Sequence, residues 1–143
     1  MRPISLPDKS TRFLIDTNLF IAAVKRGNTK STELFLRLLD GSWELVADDI
    51  LVSEYEKYAK KFEADAFLAI LLGKVIVIEQ SEVDILSCRP FFPQSVGADI
   101  VHAATCLHTG AILITNDAHF RRISEEGLIE VGSISEAIER VLE

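Results

Sequence analysis

The sequence predicts an α/β fold, a three-layer α/β/α sandwich on a parallel sheet. Two observations carry this. Short, nearly continuous apolar runs rich in β-branched residues recur along the chain, as strands covered on both faces require. Between them lie stretches with helical spacing and capping residues.

The first run, "RFLID" (residues 12–16), hands over from strand to helix at Asp16. "STELFLRLLDG" (31–41) offers Ser31 or Thr32 as cap, sets Leu34, Phe35, Leu38 and Leu39 at helical spacing, and stops at Gly41. "WELVA" (43–47) is the second strand, and "ILVSEYEKYAKKFEADAFLAILLGK" (50–74) reads as two successive helices stopping at Gly73. "VIVIE" (75–79) is the third strand, and "SCRPFFPQSV" (87–96), with prolines bracketing Phe91 and Phe92, reads as an ordered loop with its aromatics packed beneath it or bordering a substrate groove. "VGADIVHAATCLHTG" (96–110) puts Ile100, Ala103, Ala104 and Leu107 on one stripe and closes at Gly110. "AILIT" (111–115) and "LIEVG" (128–132) complete the strands, and "SISEAIERVLE" (133–143) opens with a capping-box pattern from Ser133 or Ser135.

The chain of 143 residues, 48% apolar, suits a single domain over residues 1–143 with a real core. Apolar runs such as 66–72 and 111–114 fall far short of the roughly 20 residues a membrane span needs. The N-terminal "MRPISLPDKSTR" has no apolar run of a secretion signal, so a cytoplasmic location without membrane partners is expected. Cys88 and Cys106 lack metal-site spacing and read as free structural thiols. A net charge of −7 argues against broad adhesion to nucleic acid. It leaves room for a nuclease whose site concentrates carboxylates.

Ligands of open parallel sheets gather beyond the carboxyl ends of the strands. Asp16 ends the first strand and Asp117 follows the fourth. Glu54 and Asp99, early in helices that start at that edge, are drawn to the same pocket although they lie 38, 45 and 18 residues apart in succession with the others. Two carboxylates about 5 Å apart repel by roughly 3 kcal/mol at an effective dielectric near 20. Protonation or a bound divalent cation resolves such crowding, and oxygen-only ligands favour Mg²⁺ or Mn²⁺. Each acid alone also has an ordinary reading: Asp16 as a turn or helix cap, Glu54 as an exposed helix acid, Asp99 as a partner of its helix dipole, and Asp117 as the cap of "AHFRRIS".

The motifs "FLIDTNLFI" (13–21), "ILVSEY" (50–55) and, most specific, "ADIVHAATCLHTGAILITNDAHF" (98–120) resemble the PIN-domain family of metal-dependent ribonucleases, which includes VapC-like toxins of VapBC-type toxin–antitoxin pairs. The resemblance implies four or five parallel strands in the order 3-2-1-4-5 and a pocket for one or two Mg²⁺ or Mn²⁺ ions. It implies Asp16, Asp99 and Asp117 as direct or water-mediated metal ligands, Glu54 as the residue that holds or orders the attacking water, and Asn18 and Thr115 as neighbours orienting those carboxylates. It implies an endoribonuclease acting on RNA through metal-activated water, with a cognate antitoxin and homodimerisation as its partners. Two alternatives stay open: a PIN-like module binding RNA or protein without cutting, and an Asp-dependent phosphotransfer domain. Against the latter, Asp16 does not begin an Asp-x-Asp motif and no lysine follows the fourth strand.

Lys57, Lys61, Arg121 and Arg122 follow the acids at spacings that suit contacts to RNA phosphates, or a solvated, salt-bridged helix face. His102, three residues after Asp99 and so on nearly the same helix face, reads as a packing or surface residue, with reach to a metal or a phosphate as the alternative; His108 and His119 read as packing or surface residues. Asp48 and Asp49 read as caps, with Asp48 at the right sheet edge to stand behind the pocket.

Overall fold

Apolar strand runs belong where both faces of a sheet are covered, and the computed structural model, which describes residues 3–94 and 96–143, buries those of the first, second and fourth strands and leaves that of the third at an exposed edge. The strands are β1 (Arg12–Ile15), β2 (Glu44–Ala47), β3 (Val75–Val77), β4 (Ile112–Ile114) and β5 (Glu130–Gly132). All pair in parallel in the order β3-β2-β1-β4-β5, as the resemblance implies. Phe13 of the central β1 sits opposite Leu45 on one side and Ile112 on the other. Phe13, Leu14 and Ile15 are therefore all buried, whereas the edge strand β3 leaves Ile76 and Val77 exposed.

Helices α1 (Thr17–Arg26), α2 (Lys30–Asp40), α3 (Asp49–Lys61) and α4 (Asp65–Lys74) lie in the crossovers that step from β1 out to β3. Helices α5 (Glu82–Cys88) and α6 (Gly97–Thr109) return the chain to β4, and α7 (Arg121–Glu125) leads on to β5. Right-handed crossovers running in opposite directions along the sheet deposit their helices on opposite faces, which makes the three layers. The last helix, α8 (Ile134–Leu142), packs on α2. No helix among the described residues is long and apolar enough to cross a membrane.

Several local expectations need correction. Helix α2 is capped by Thr29, in a reciprocal capping box with Thr32, and not by Ser31 or Thr32. Gly73 lies inside α4, which runs on to Lys74. Ser133 caps α8 through the Glu136 N–H, but the Glu136 carboxylate accepts instead from the Ile4 N–H at 2.9 Å, tying the N-terminal segment down. The expected loop 87–96 begins in α5 and continues as a 3₁₀ turn (Arg89–Phe91); its Ser95, like Met1 and Arg2, lies outside the described residues. Phe92 packs edge-on against the buried Phe120, whereas Phe91 stays half-buried. Cys88 and Cys106 are free and buried.

Gly110 ends α6 as read from the sequence, at φ 74° with nothing within 4 Å of where a Cβ would stand. The cost of a side chain there is purely conformational. Gly110→Ala is expected to lower the unfolding free energy by about 1–2 kcal/mol in a urea titration, and Gly110→Asn by less.

Candidate metal centre

The chain leaves β1 toward β2 on one side, while β4 pairs with β1 on the other. This reversal opens a crevice at the carboxyl ends of β1 and β4, and the acidic residues collect there. Asp16 extends the β1 ladder, its N–H donating to the Ile114 carbonyl at 3.1 Å. It also caps α1: one carboxylate oxygen accepts from the Thr17 N–H at 2.8 Å and the other from Thr115 Oγ1 at 2.7 Å. The cap and pocket readings of Asp16 thus describe one geometry. Asn18 reaches Asp16 only through Thr115, donating Nδ2–H to Thr115 Oγ1 at 2.9 Å, and the Asp117 N–H donates to the same oxygen at 3.0 Å.

Glu54 projects from α3, its carboxylate accepting from the Thr17 hydroxyl and from His102 Nε2 at 3.3 Å. Asp99, in the first turn of α6, accepts from His119 Nδ1 at 2.9 Å. Asp117 caps the 3₁₀ turn Ala118–Phe120 through the His119 N–H and lies 3.2 Å from the same imidazole. The carboxylates and histidines form two adjoining groups, Asp16–Glu54–His102 and Asp99–Asp117–His119, with ligand atoms within 4.8 Å of one another in each. Burial raises the Asp16 pKa above the usual carboxylate value against the pull of its hydrogen bonds and of His102. Burial also raises that of Asp99, with Asp117 and Asp16 adding repulsion and the His119 bond opposing it.

Glu54 behaves differently. Burial pushes its pKa up, but the bonds from His102 and Thr17 and the positive charges of His102 and Lys57 outweigh this and leave it lowered. The source is a buried ion pair that the sequence reading did not identify. His102 is 1% exposed and donates Nδ1–H to Asp48 at 2.7 Å, while Asp48 is fully buried and caps α3 through the Leu51 N–H at 2.8 Å. Burial works against a charge on His102, yet its bonds to Asp48 and Glu54 raise its pKa to about 10. An imidazolium with both N–H groups committed has no lone pair for a metal. His119 is likewise biased toward its charged form, by the bond to Asp99 and the charge of Asp117. The carboxylate oxygens of the two groups, Asp16 with Glu54 and Asp99 with Asp117, would suit Mg²⁺ or Mn²⁺, with His102 and His119 standing among them.

The cations named from spacing divide. Lys57 is near enough to bias Glu54 and also lies over the Tyr58 ring at 5.3 Å. Lys61 lies over Tyr58 and Phe62. Arg121 and Arg122 line a cavity beside His119. None of the four joins an ion pair among the described residues.

His102 was legible only as a residue one helical turn after Asp99, since nothing local marks its pairing with Asp48, 54 residues away. His119, two residues after Asp117, carried a stronger positional signal.

Comparison with known proteins agrees with the fold. A structure of VapBC2 from Rickettsia felis bound to a DNA fragment from their promoter superposes with a TM-score of 0.64 at 17% identity, covering 86% of this chain and 98% of that one. No curated protein sequence matches. The sequence model of the PIN domain matches residues 13–126, well over half of the 143, and the chain belongs to the PIN domain family.

Proposed function

We propose that this PIN domain is a Mg²⁺- or Mn²⁺-dependent endoribonuclease, the VapC-like toxin of a toxin–antitoxin pair. The observation that carries the reading is the meeting of two adjoining acid groups, Asp16 with Glu54 and Asp99 with Asp117, at one sheet edge, each residue on a separate element. Asp16, Asp99 and Asp117 would hold the ion. When bound, it supplies a water of lowered pKa and offsets charge on the scissile phosphate and leaving oxygen.

The chain's own residues do the positioning. Thr115, itself held by Asn18, fixes one oxygen of Asp16, and the Thr17 N–H fixes the other. Glu54, kept ionised by Thr17 and His102, is the acceptor that orients the attacking water. Lys57 and the arginines beside His119 contact phosphates and set the strand's direction without reading sequence. The antitoxin partner is supported by the VapBC2 likeness, and a homodimer goes with the same reading.

The purified chain is expected to cut single-stranded RNA in Mg²⁺ or Mn²⁺, leaving 5′-phosphate and 3′-hydroxyl ends, and to stop on chelation. RNA binding without cleavage in either metal would replace this reading with that of a non-cutting RNA-binding module.

A further inference from the structure

Beside the carboxylates lies a cavity of about 520 Å³ lined by Phe91, Phe92, Ala118, His119, Arg121 and Arg122 among others. It adjoins the candidate metal centre, because His119 belongs to both: its ring bonds Asp99 and Asp117 while its flank walls the cavity. Its chemistry differs sharply from that of the centre. The Arg122 guanidinium lies 5.6 Å from the centre of the half-buried Phe91 ring and is anchored there by a hydrogen bond to the Pro90 carbonyl at 3.1 Å. Arg121 stands next to it, exposed. In a chain with net charge −7, an aromatic ring with two arginines, only partly offset by Glu125 on the same wall, is a local reversal of sign next to the acids.

A planar π surface with a planar cation accepts the face of a nucleobase, and a neighbouring guanidinium accepts its phosphate. Only an unpaired base can offer that face, because in a duplex it is covered by its neighbours. We infer that the Phe91–Arg122 pair and Arg121 form a subsite that stacks one unpaired base of the RNA next to the scissile phosphate. The inference rests on the nuclease reading for the role of that RNA as substrate, but the binding itself is measurable without cleavage. The apolar cavity suits the base and Arg121 its phosphate; Phe92, braced edge-on against Phe120, keeps the floor rigid.

The test uses the full chain with Asp99→Asn in chelator, titrated into a fluorescein-labelled ten-nucleotide oligouridine and, separately, a ten-base-pair RNA duplex, read by anisotropy. The single strand is expected to bind at least about tenfold more tightly than the duplex, with Phe91→Ala weakening it about tenfold and Phe91→Trp retaining it. Arg121→Gln, on an exposed side chain, is expected to weaken it several-fold and serves if Phe91→Ala fails to fold. In the otherwise wild-type chain with Mg²⁺, Phe91→Ala is expected to raise KM far more than it lowers kcat. Unchanged single-strand affinity in Phe91→Ala and Arg121→Gln, or equal affinity for the duplex, overturns the subsite. Wild-type cleavage with unaltered KM in both variants overturns the subsite alone. Base-dependent binding without any wild-type cleavage overturns the nuclease reading alone.

Discussion

Asp99→Asn is expected to lose RNA cleavage by about 10³-fold, equivalent to about 4 kcal/mol at the transition state, while its metal-free form melts at a higher temperature than the wild type. The two effects have one cause. Asp99 is 17% exposed at its side chain and has Asp117 within 4.8 Å, a separation at which like charges repel by roughly 3 kcal/mol at an effective dielectric near 20. Against this stand its favourable position in the first turn of α6, worth about 0.3–1 kcal/mol, and the exposed His119, whose attraction solvent screens. Repulsion wins, and asparagine keeps an oxygen for His119. After allowing for solvent screening, a net gain of about 1 kcal/mol corresponds to a rise of roughly 3–5 °C.

The pH dependence follows from the raised pKa. An acid whose folded pKa exceeds its unfolded one favours the fold while protonated, and that advantage disappears as pH rises through the folded value. Metal-free wild type should therefore soften as pH rises above the ordinary carboxylate range, Asp99→Asn less so, and Mg²⁺ should raise the wild-type melting temperature at neutral pH while hardly moving the variant's. A fall of several degrees in Asp99→Asn would mean that the residue serves the helix dipole and not a metal pocket. Cleavage that survived the substitution would remove Asp99 from the site.

The sheet was readable because each strand announces itself: "RFLI", "ELVA" and "AILI" are apolar without alternation since β1, β2 and β4 are flanked on both sides. The pocket was readable for a related reason, as charges directly after such runs have only the sheet edge to occupy. Helix α5 was not read at all. It has seven residues, with Val83 and Leu86 exposed, so it presents no apolar stripe to recognise. Thr29 escaped as the α2 cap because its capping-box partner is Thr32, where the usual signature has a glutamate or glutamine. His102 shows the limit most clearly. Its reading as a packing residue was correct for its burial and silent about its charge, since the charge depends on Asp48, which only the folded crossover brings into contact. The finer division of the acids into two groups, each with its own histidine, is a property of the third dimension.

His102→Ala is expected to lower the unfolding free energy by about 3–5 kcal/mol, because it leaves the fully buried Asp48 carboxylate without its cation. Urea unfolding of the metal-free protein measures this. The Leu51 N–H and Thr105 hydroxyl remain near Asp48, so the α3 cap should survive and the variant should still fold. Pairing His102→Leu with Asp48→Asn, which removes both charges and keeps the capping oxygen, should recover more than half of the loss. The ion pair also sets a pH window. With its pKa raised from 6.5 to about 10, His102 contributes its full stabilisation below pH 6.5 and loses it as pH rises through about 10. Wild type should therefore weaken by a few kcal/mol, to order of magnitude, between pH 7 and 10, whereas His102→Ala should keep only the slope common to both that comes from the buried thiols of Cys88 and Cys106, whose pKa values burial raises. Loss of less than about 1 kcal/mol in His102→Ala, with the alkaline slope intact, would show that the imidazole is neutral. In that case its Nε2 would carry a free lone pair toward Glu54 and Asp16, and His102 would have to be counted among the ligands of the metal instead of as the fixed cation that keeps Glu54 ionised.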